Sequence, residues 1–411
     1  MMIEAGQVIR LLVEKPAAGG RMIARVDGQI VLVAGSIPGE RVTARVERIA
    51  RGVAYAETTT VDEPSADRRS PFTDALCGGS LYAHIAYPRQ LELKALVIAD
   101  AFGRIARLQL PAAVRVAASP EEGYRMRARL HMRGQRLGFF REGTHEVCDA
   151  RATRQLLPAT CDVLERVAAG IRSLGPDAVR DVELSENVDA SERVVHFETS
   201  PGADASAMRK LAATDGLTPG PYVTDTLTIG EHPPIALRRH VLAFFQGNRY
   251  LLNALTVHVV GQVPSGNVVM DLYAGAGLFS MAAAVTRGAR VTAVEGDRLA
   301  AADLAANAAS HADVTTVHQP VEDFLSRFGR GAVETIVVDP PRTGMSREAL
   351  DGAINVRAPR IVYVSCDVAT LARDARRLVD AGYALERIDA FDLFPNTPHV
   401  ETVAVFQRSL S

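Results

Sequence analysis

The period of apolar and polar positions changes along the chain, and each change predicts a different kind of structure. Up to about residue 62 the period is two. Gln29 to Ala34 is a β-branched run, Pro38-Gly39 marks a turn, and Val42, Ala44 and Val46 alternate with Thr43, Arg45 and Glu47. Ala50 to Thr58 supplies another strand. Short strands joined by glycine-rich turns predict a small β-barrel of the OB type over residues 1–62, a fold that commonly holds oligonucleotides and otherwise only packs on its neighbour. The polar, proline-bounded stretch EPSADRRSP, Glu63 to Pro71, predicts a linker and the first domain boundary.

Leu91, Ala95, Ile98, Ala99, Phe102 and Ile105 recur at helical spacing, so a long helix is expected from Tyr87 to Leu108. Period two then returns in YRMRARLHMRGQRLGFF. Tyr124, Met126, Ala128, Leu130 and Met132 fall on one side of a strand, and Arg125, Arg127, Arg129, His131 and Arg133 on the other. A cationic face of this kind suits RNA or DNA phosphates, although a solvated antiparallel strand has the same pattern. Cys161 to Leu174 reads as a helix, Asp181 to Thr199 as two strands, and Pro201 to Pro234 as a Gly/Pro-rich passage without recognisable chemistry. Residues 63–239 are therefore expected to form a central α+β domain.

From His240 onward, strands and helices alternate. Phe245 to Val260 is helical by spacing, and Val268 to Leu272, Arg290 to Val294, Val314 to Val317, Glu334 to Val338 and Arg360 to Val364 read as buried strands. Ala384 to Phe391 and Val400 to Gln407 close the series. Residues 240–411 thus predict an α/β doubly wound, Rossmann-like domain whose ligands lie beyond the carboxyl ends of the strands.

Composition narrows the class. With 47% hydrophobic and 23% charged residues, the 411-residue chain is an ordinary globular protein, and its net charge of −2 excludes a wholly basic nucleic-acid binder. The start, MMIEAGQVIR, lacks the regions of a signal peptide, and no apolar run is long enough to span a bilayer, so a cytoplasmic location without membrane contact is expected. Cys77, Cys148, Cys161 and Cys366 form no C-x-x-C pair and are expected to be reduced thiols.

Candidate chemistry gathers at the strand ends. DLYAGAGLFS, Asp271 to Ser280, is a strand, a glycine turn and a helix start; Gly275 and Gly277 let the backbone approach a ligand at the helix N-terminus. Ser280 replaces the third glycine of a dinucleotide fingerprint, so NAD, a flavin nucleotide and S-adenosylmethionine all remain open. Glu295, some 20 residues after this turn, can accept hydrogen bonds from a ribose diol. Asp339-Pro340-Pro341-Arg342 presents a carboxylate and a guanidinium on a stiff loop, and Cys366 follows a buried strand where a nucleophile could reach a substrate. Packing alone would also account for a cysteine there. Glu401, among Val400, Val403 and Val405, is a candidate base. A thiol and a carboxylate base beside a methyl donor suit methylation at carbon 5 of a pyrimidine.

DLYAGAGLFS, VEGD, VVDPPRTGMS, IVYVSCDVATLARD and FPNTPHVETVA, in this order and spacing, resemble the S-adenosylmethionine-dependent RNA 5-methyluridine methyltransferases, the bacterial uracil-C5 family of ribosomal and transfer RNA. The resemblance is strong over residues 240–411. Ile3 to Pro64 resembles the TRAM domain, an OB-like RNA-binding barrel, and Tyr124 to Asp149 the family's central domain. It implies a class I methyltransferase fold, S-adenosylmethionine as cofactor, RNA as partner and a monomer. Cys366 would be the nucleophile that adds to C6 of uracil and Glu401 the base that removes the C5 proton. Gln246, Tyr273, Glu295 and Asp339 would contact the cofactor together with Gly275 and Gly277, and Arg125, Arg127, Arg129, Arg133 and Arg342 would face RNA. The TRAM domain favours the 23S ribosomal RNA branch over the transfer RNA T-loop branch. The helix near residues 88–108 is expected to pack on the catalytic domain.

Departures from the family pattern are also visible. The iron–sulfur members carry C-x5-C-G-G-C and one later cysteine. Here those places read Pro71, Cys77, Ser80 and Thr153, so no iron–sulfur cluster and no metal site is expected. S-C-N becomes S-C-D at Asp367. Pro320 stands where an amide or acid often meets adenine, leaving Gln319, Glu322 or Asp323 as substitutes. Two other classes compete with the methyltransferase reading: an RNA-binding protein on a retired scaffold, against which intact Cys366 and Glu401 speak, and a base amino-methylase, which has no use for Cys366.

Overall fold

The computed structural model describes residues 3–175, 178–200, 204–329 and 332–408. Strands β1 (Val8–Pro16), β2 (Met22–Val26), β3 (Gln29–Ala34), β4 (Arg41–Ala50) and β5 (Val53–Glu63) close into a barrel in the order β1-β2-β3-β5-β4. The alternation read from the sequence fills it. Ile9, Leu11, Val13, Val42, Ala44 and Val46 point inward, while Arg10, Arg41 and Arg45 remain outside. β5 runs on to Glu63. The predicted linker after it is tied down: Arg68 Nε donates to the buried Glu40 at 2.6 Å and Arg69 donates to Asn396 at 2.8 Å.

Helix α1 (Tyr87–Ala101) ends in a π-helical turn, Phe102–Ala106, closed by Arg107 at φ 54°. Ile98, Phe102 and Ala106 pack with Leu371, Ala375 and Ile388 of the C-terminal sheet layer, and Lys94 Nζ pairs with Asp392, both buried. β6 (Val116–Ala117) even joins that sheet beside its last long strand. The chain then returns to a second sheet. β7 (Arg127–Arg133), β8 (Arg136–Phe140), β9 (Val147–Asp149), β10 (Val179–Glu186) and β11 (Arg193–Thr199) lie in the order β11-β10-β7-β8-β9. Helix α2 (Pro158–Ser173) covers it, packing Val163, Leu164, Val167 and Ile171 against Leu130, Met132 and Leu184. The passage from Pro201 to Pro234 is more regular than its composition suggests, since it holds α3 (Ala205–Ala212) and β12 (Tyr222–Leu227). β12 pairs with β13 (Ile235–His240).

The third layer system contains α4 (Leu252–Val260), β14 (Val268–Leu272), α5 (Leu278–Arg287), β15 (Arg290–Glu295), α6 (Arg298–Ala308), β16 (Val314–His318), α7 (Val321–Arg327), β17 (Thr335–Val338), α8 (Arg347–Val356), β18 (Arg360–Ser365), α9 (Val368–Asp380), β19 (Tyr383–Phe391) and β20 (Glu401–Arg408). Its sheet has the order β16-β15-β14-β17-β18-β20-β19-β6. The chain steps outward from β14 to β16 and then restarts at β17 on the other side, so β14 and β17 form the switch point at which such sheets bind ligands. Val269, Val291, Val337 and Val362 face α4, α5 and α6, while Met270, Leu272, Ile336 and Tyr363 face α1, α7, α8 and α9. Burial on both faces explains the near-continuous apolar runs in the sequence.

Two expectations are corrected here. The helix expected from Phe245 begins only at Leu252. Asn248 Oδ1 accepts from the N–H groups of Tyr250 and Leu251 at 2.9 and 3.1 Å, and buried Arg249 reaches back to Gly123 O at 2.9 Å, so residues 241–251 form a bonded loop. The four cysteines are not all thiols. Cys77 and Cys148 are disulfide-bonded across 71 residues, while Cys161 and Cys366 are free. Gly78 N–H donates to Phe140 O at 2.9 Å, and this holds the Cys77 turn against β8 and β9 with Cα atoms 5.9 Å apart, within bridging range. A cross-link closing so long a loop contributes about 2–4 kcal/mol. Reduction, or Cys77→Ser, should therefore lower the melting temperature of the full-length protein by several degrees in differential scanning calorimetry.

Candidate active site

Strand register assembles the centre. β18 and β20 are antiparallel, with Ser365 opposite Thr402; one step further along the ladder puts Cys366 against Glu401. β14 and β17 are parallel, with Leu272 beside Val338, so Tyr273 and Asp339 leave the sheet together at the switch point. Glu401 is buried, and its Oε1 finds no hydrogen-bond partner among the described residues. Burial and the Asp339 carboxylate push its pKa well above the ordinary carboxyl range, against the pull of Arg342. The half-buried Cys366 thiol is pushed up to about 12, first by burial and then by the carboxylates of Glu401 and Asp339, with Arg342 opposing. Asp339 is raised to about 7 by burial and by the charges of Asp271 and Glu295, although it accepts from Gln246 Nε2 at 3.0 Å.

The glycine turn is built around two carboxylates. Gly275, at φ +56°, donates its N–H to Glu295 Oε2 at 2.8 Å, and Asp297 N–H donates to Glu295 Oε1 at 2.6 Å. Gly277, at φ +95°, has no room for a side chain: a Cβ would stand 2.8 Å from Leu304 Cδ1. Tyr273 takes φ +61°, uncommon for a non-glycine residue, and lines a cavity of about 700 Å³ with Glu322, Pro341, Thr343 and Arg373. Ser280, where a third glycine was sought, donates its hydroxyl to the buried Asp271. Asp367 is the N-cap of α9, its Oδ1 accepting from Thr370 N–H at 2.8 Å, so the carboxylate is committed to the helix end.

The sequence did not reveal what holds the loop before Glu401. Asn396, buried at φ +63°, is gripped by Gln90, which donates to its Oδ1 and accepts from its N–H, both at 2.9 Å. Lys94 bonds Asp392 and also donates to Phe394 O at 3.2 Å. These partners lie about 300 residues apart; the apolar stripe of α1 and the family resemblance pointed to its packing on the catalytic domain, but nothing in the sequence pointed to these polar contacts.

The arginine face of β7 is divided rather than uniform. Arg129 donates to Asp181 at 2.6 Å and Glu198 at 2.7 Å, and Arg133 donates to the carbonyl oxygens of Met132 and Arg180, so this end is compensated within the protein. Arg125 is engaged as well, its Nε donating to Arg127 O at 2.8 Å and its Nη1 to Gln155 Oε1 at 2.6 Å. The Arg125 guanidinium stands 5.7 Å from the Phe394 ring and feels the charge of Arg342, which is exposed. Among the described residues no group of three or more His, Cys, Asp or Glu is placed to hold a metal ion.

A doubly wound sheet with a glycine turn and acidic groups at its switch point, and a thiol at the end of the next strand, has the layout of a nucleotide-dependent group-transfer enzyme. The family model described as tRNA (Uracil-5-)-methyltransferase matches residues 218–409, and the TRAM domain model matches residues 4–59. The chain is 34% identical to the 23S rRNA (uracil(1939)-C(5))-methyltransferase RlmD of Halomonas elongata over 97% of its own length and 89% of that protein. It belongs to the S-adenosylmethionine-dependent RNA uracil-C5 methyltransferases, and it is an enzyme of RNA modification. A Thermotoga maritima protein described as an uncharacterized RNA methyltransferase is 30% identical over 96% of this chain and 98% of its own. The tRNA (uracil-54, C5)-methyltransferase of Pyrococcus abyssi, solved in complex with S-adenosyl-L-homocysteine, shares the fold at a TM-score of 0.73 and 23% identity, covering 96% of this chain and 99% of its own. No helix among the described residues is long and apolar enough to cross a membrane.

Proposed function

We propose that this enzyme converts a uridine of 23S ribosomal RNA to 5-methyluridine through a covalent adduct on Cys366. The observation that carries the reading is that Cys366, the residue after β18, lies within electrostatic reach of Glu401, the first residue of β20, and of Asp339, the residue after β17. In the reaction, Cys366 gives up its proton to solvent and its thiolate bonds C6 of uracil; the C5–C6 π bond breaks, its electrons move toward the C4 carbonyl oxygen as an enolate, and C5 becomes nucleophilic. S-adenosylmethionine, when bound, supplies the methyl group as an electrophile on a positively charged sulfur, for C5 to take. Glu401 then accepts the C5 proton, the C6–sulfur bond breaks and Cys366 leaves as thiolate. Glu295 would hold the ribose, Asp339 and Gln246 the polar end near the reacting centre, and Tyr273, Gly275 and Gly277 the approach to the α5 N-terminus. The turn leaves room for such a ligand: a Cβ at Gly275 would meet only Phe244 O, at 3.9 Å, and the Gly275 N–H is fixed to Glu295. Arg342, exposed at the crevice, and Arg127 supply cations for the RNA backbone; Arg125, bonded to Gln155 and to the Arg127 carbonyl, and Arg129 and Arg133, also engaged within the protein, contribute less.

Ribosomal RNA is favoured by the TRAM barrel and by relatives at 30–34% identity described as 23S enzymes. A transfer RNA T-loop uridine is the second reading, favoured by the likeness to the Pyrococcus fold. Ribosomal RNA as substrate would place the enzyme in the cytoplasm, and we take it to act as a monomer. Unmodified 23S and tRNA transcripts with labelled methyl donor decide between them. Label is expected in 23S RNA, and label confined to tRNA would reverse the choice.

A further inference from the structure

The loop that carries Gln246 inward also carries Phe244 outward. Phe244 is 62% exposed, more than any other large apolar side chain among the described residues. Its position is not casual. Its carbonyl oxygen lies against the glycine turn, 3.9 Å from where a Cβ on Gly275 would stand, and Gln246 two residues on is bonded to Asp339. The backbone of this loop therefore borders the glycine turn and Asp339, and the exposed ring stands on its outer side next to Arg127. Arg127 places its guanidinium 5.9 Å from the ring centroid, and its Nε has no hydrogen-bond partner among the described residues. Leu242, 40% exposed, extends the apolar surface of the loop.

We infer that Phe244, with Arg127 beside it, is a stacking platform for the base of a nucleotide flanking the target uridine. A uridine can reach Cys366 only by leaving its stack, and this deprives its neighbours of their stacking partner. An exposed ring on this loop replaces that partner whatever the base, because every base has a π-face, and an adjacent cation neutralises the phosphate of the same nucleotide. Charge complementarity with a polyanion distinguishes RNA from a protein partner here. Gln246 and Asp339 hold the loop from inside, so the ring meets its ligand already positioned.

This inference rests on the RNA methyltransferase activity, and the experiment separates the two. Methyl transfer to unmodified 23S transcript is measured for wild type, Phe244→Ala, Phe244→Leu and Phe244→Trp, with S-adenosylhomocysteine affinity and melting temperature alongside. Wild-type turnover tests the substrate; if only tRNA is methylated, the same comparison is made on tRNA. Phe244→Ala and Phe244→Leu should raise KM for RNA about 5- to 150-fold, the loss expected for one base stack, with kcat at saturating RNA little changed. Phe244→Trp should restore it. Wild-type KM in Phe244→Leu would overturn the inference. So would a loss confined to S-adenosylhomocysteine affinity, which would assign the ring to the adenine of the cofactor.

Discussion

Cys366→Ala abolishes methyl transfer, by about 10⁴-fold or more, because a nucleophile that forms the covalent intermediate has no substitute in the site. Donor affinity should stay within about a factor of three, since Glu295, Gln246 and Asp339 remain bonded as in the parent. Isothermal titration with S-adenosylhomocysteine and a labelled-methyl assay check the two halves; retained turnover would refute the nucleophile. The surroundings of the thiol add a further expectation. Burial and the two carboxylates raise it to about 12, so the free enzyme holds Cys366 protonated at neutral pH. Its alkylation by iodoacetamide should be slow at pH 7 and rise about tenfold per pH unit up to pH 10, as the thiolate fraction does. A rate already level at pH 8 would show that Arg342 and the N-terminus of α9 outweigh the carboxylates.

Local pattern carried most of the elements and marked the polar residues at the strand ends, and it failed where distant parts meet. The barrel was legible because Val42, Ala44 and Val46 alternate against a water-exposed face. β14, β15, β17 and β18 were legible because burial on both faces leaves them uniformly apolar. Cys366, Glu401 and Asp339 all stood at strand ends, and the parallel and antiparallel registers then brought them together. The stretch before α4 misled because Phe245 and Leu251 keep helical spacing, yet both are buried as parts of a loop fixed by Asn248 and Arg249. The β7 arginines looked like one cationic face because Asp181 and Glu198, which compensate Arg129, come from strands some 50 to 70 residues away. The Cys77–Cys148 pair had no spacing signal at all; only the docking of the Cys77 turn on Phe140 creates it. Phe244 was hidden for the opposite reason, since an exposed aromatic among apolar neighbours reads as core.

Glu401→Gln should trap the enzyme on its RNA. Gln has nearly the shape of Glu and keeps an oxygen toward the crevice, but it cannot take a proton. Addition of Cys366 to C6 and methylation at C5 do not require the C5 proton to leave, whereas release of the thiolate does. The product is then a methylated RNA joined to Cys366, visible as a slow band that survives boiling in detergent and carries the donor's label. Steady-state turnover falls by about 10²- to 10⁴-fold, the contribution of a positioned general base, while the first methyl transfer continues. The raised pKa of Glu401 fits this role, because burial and the Asp339 charge, outweighing Arg342, make its carboxylate, once ionised, hold a proton far better than one in water. The clamp on the preceding loop explains why the geometry survives the substitution: Asn396 and Asp392 are held by Gln90 and Lys94, and neither contact involves the Glu401 carboxylate. If Glu401→Gln gives neither adduct nor product while Cys366 remains alkylatable, the base lies elsewhere. Asp339, the other raised carboxyl facing the thiol, would be next to replace with Asn.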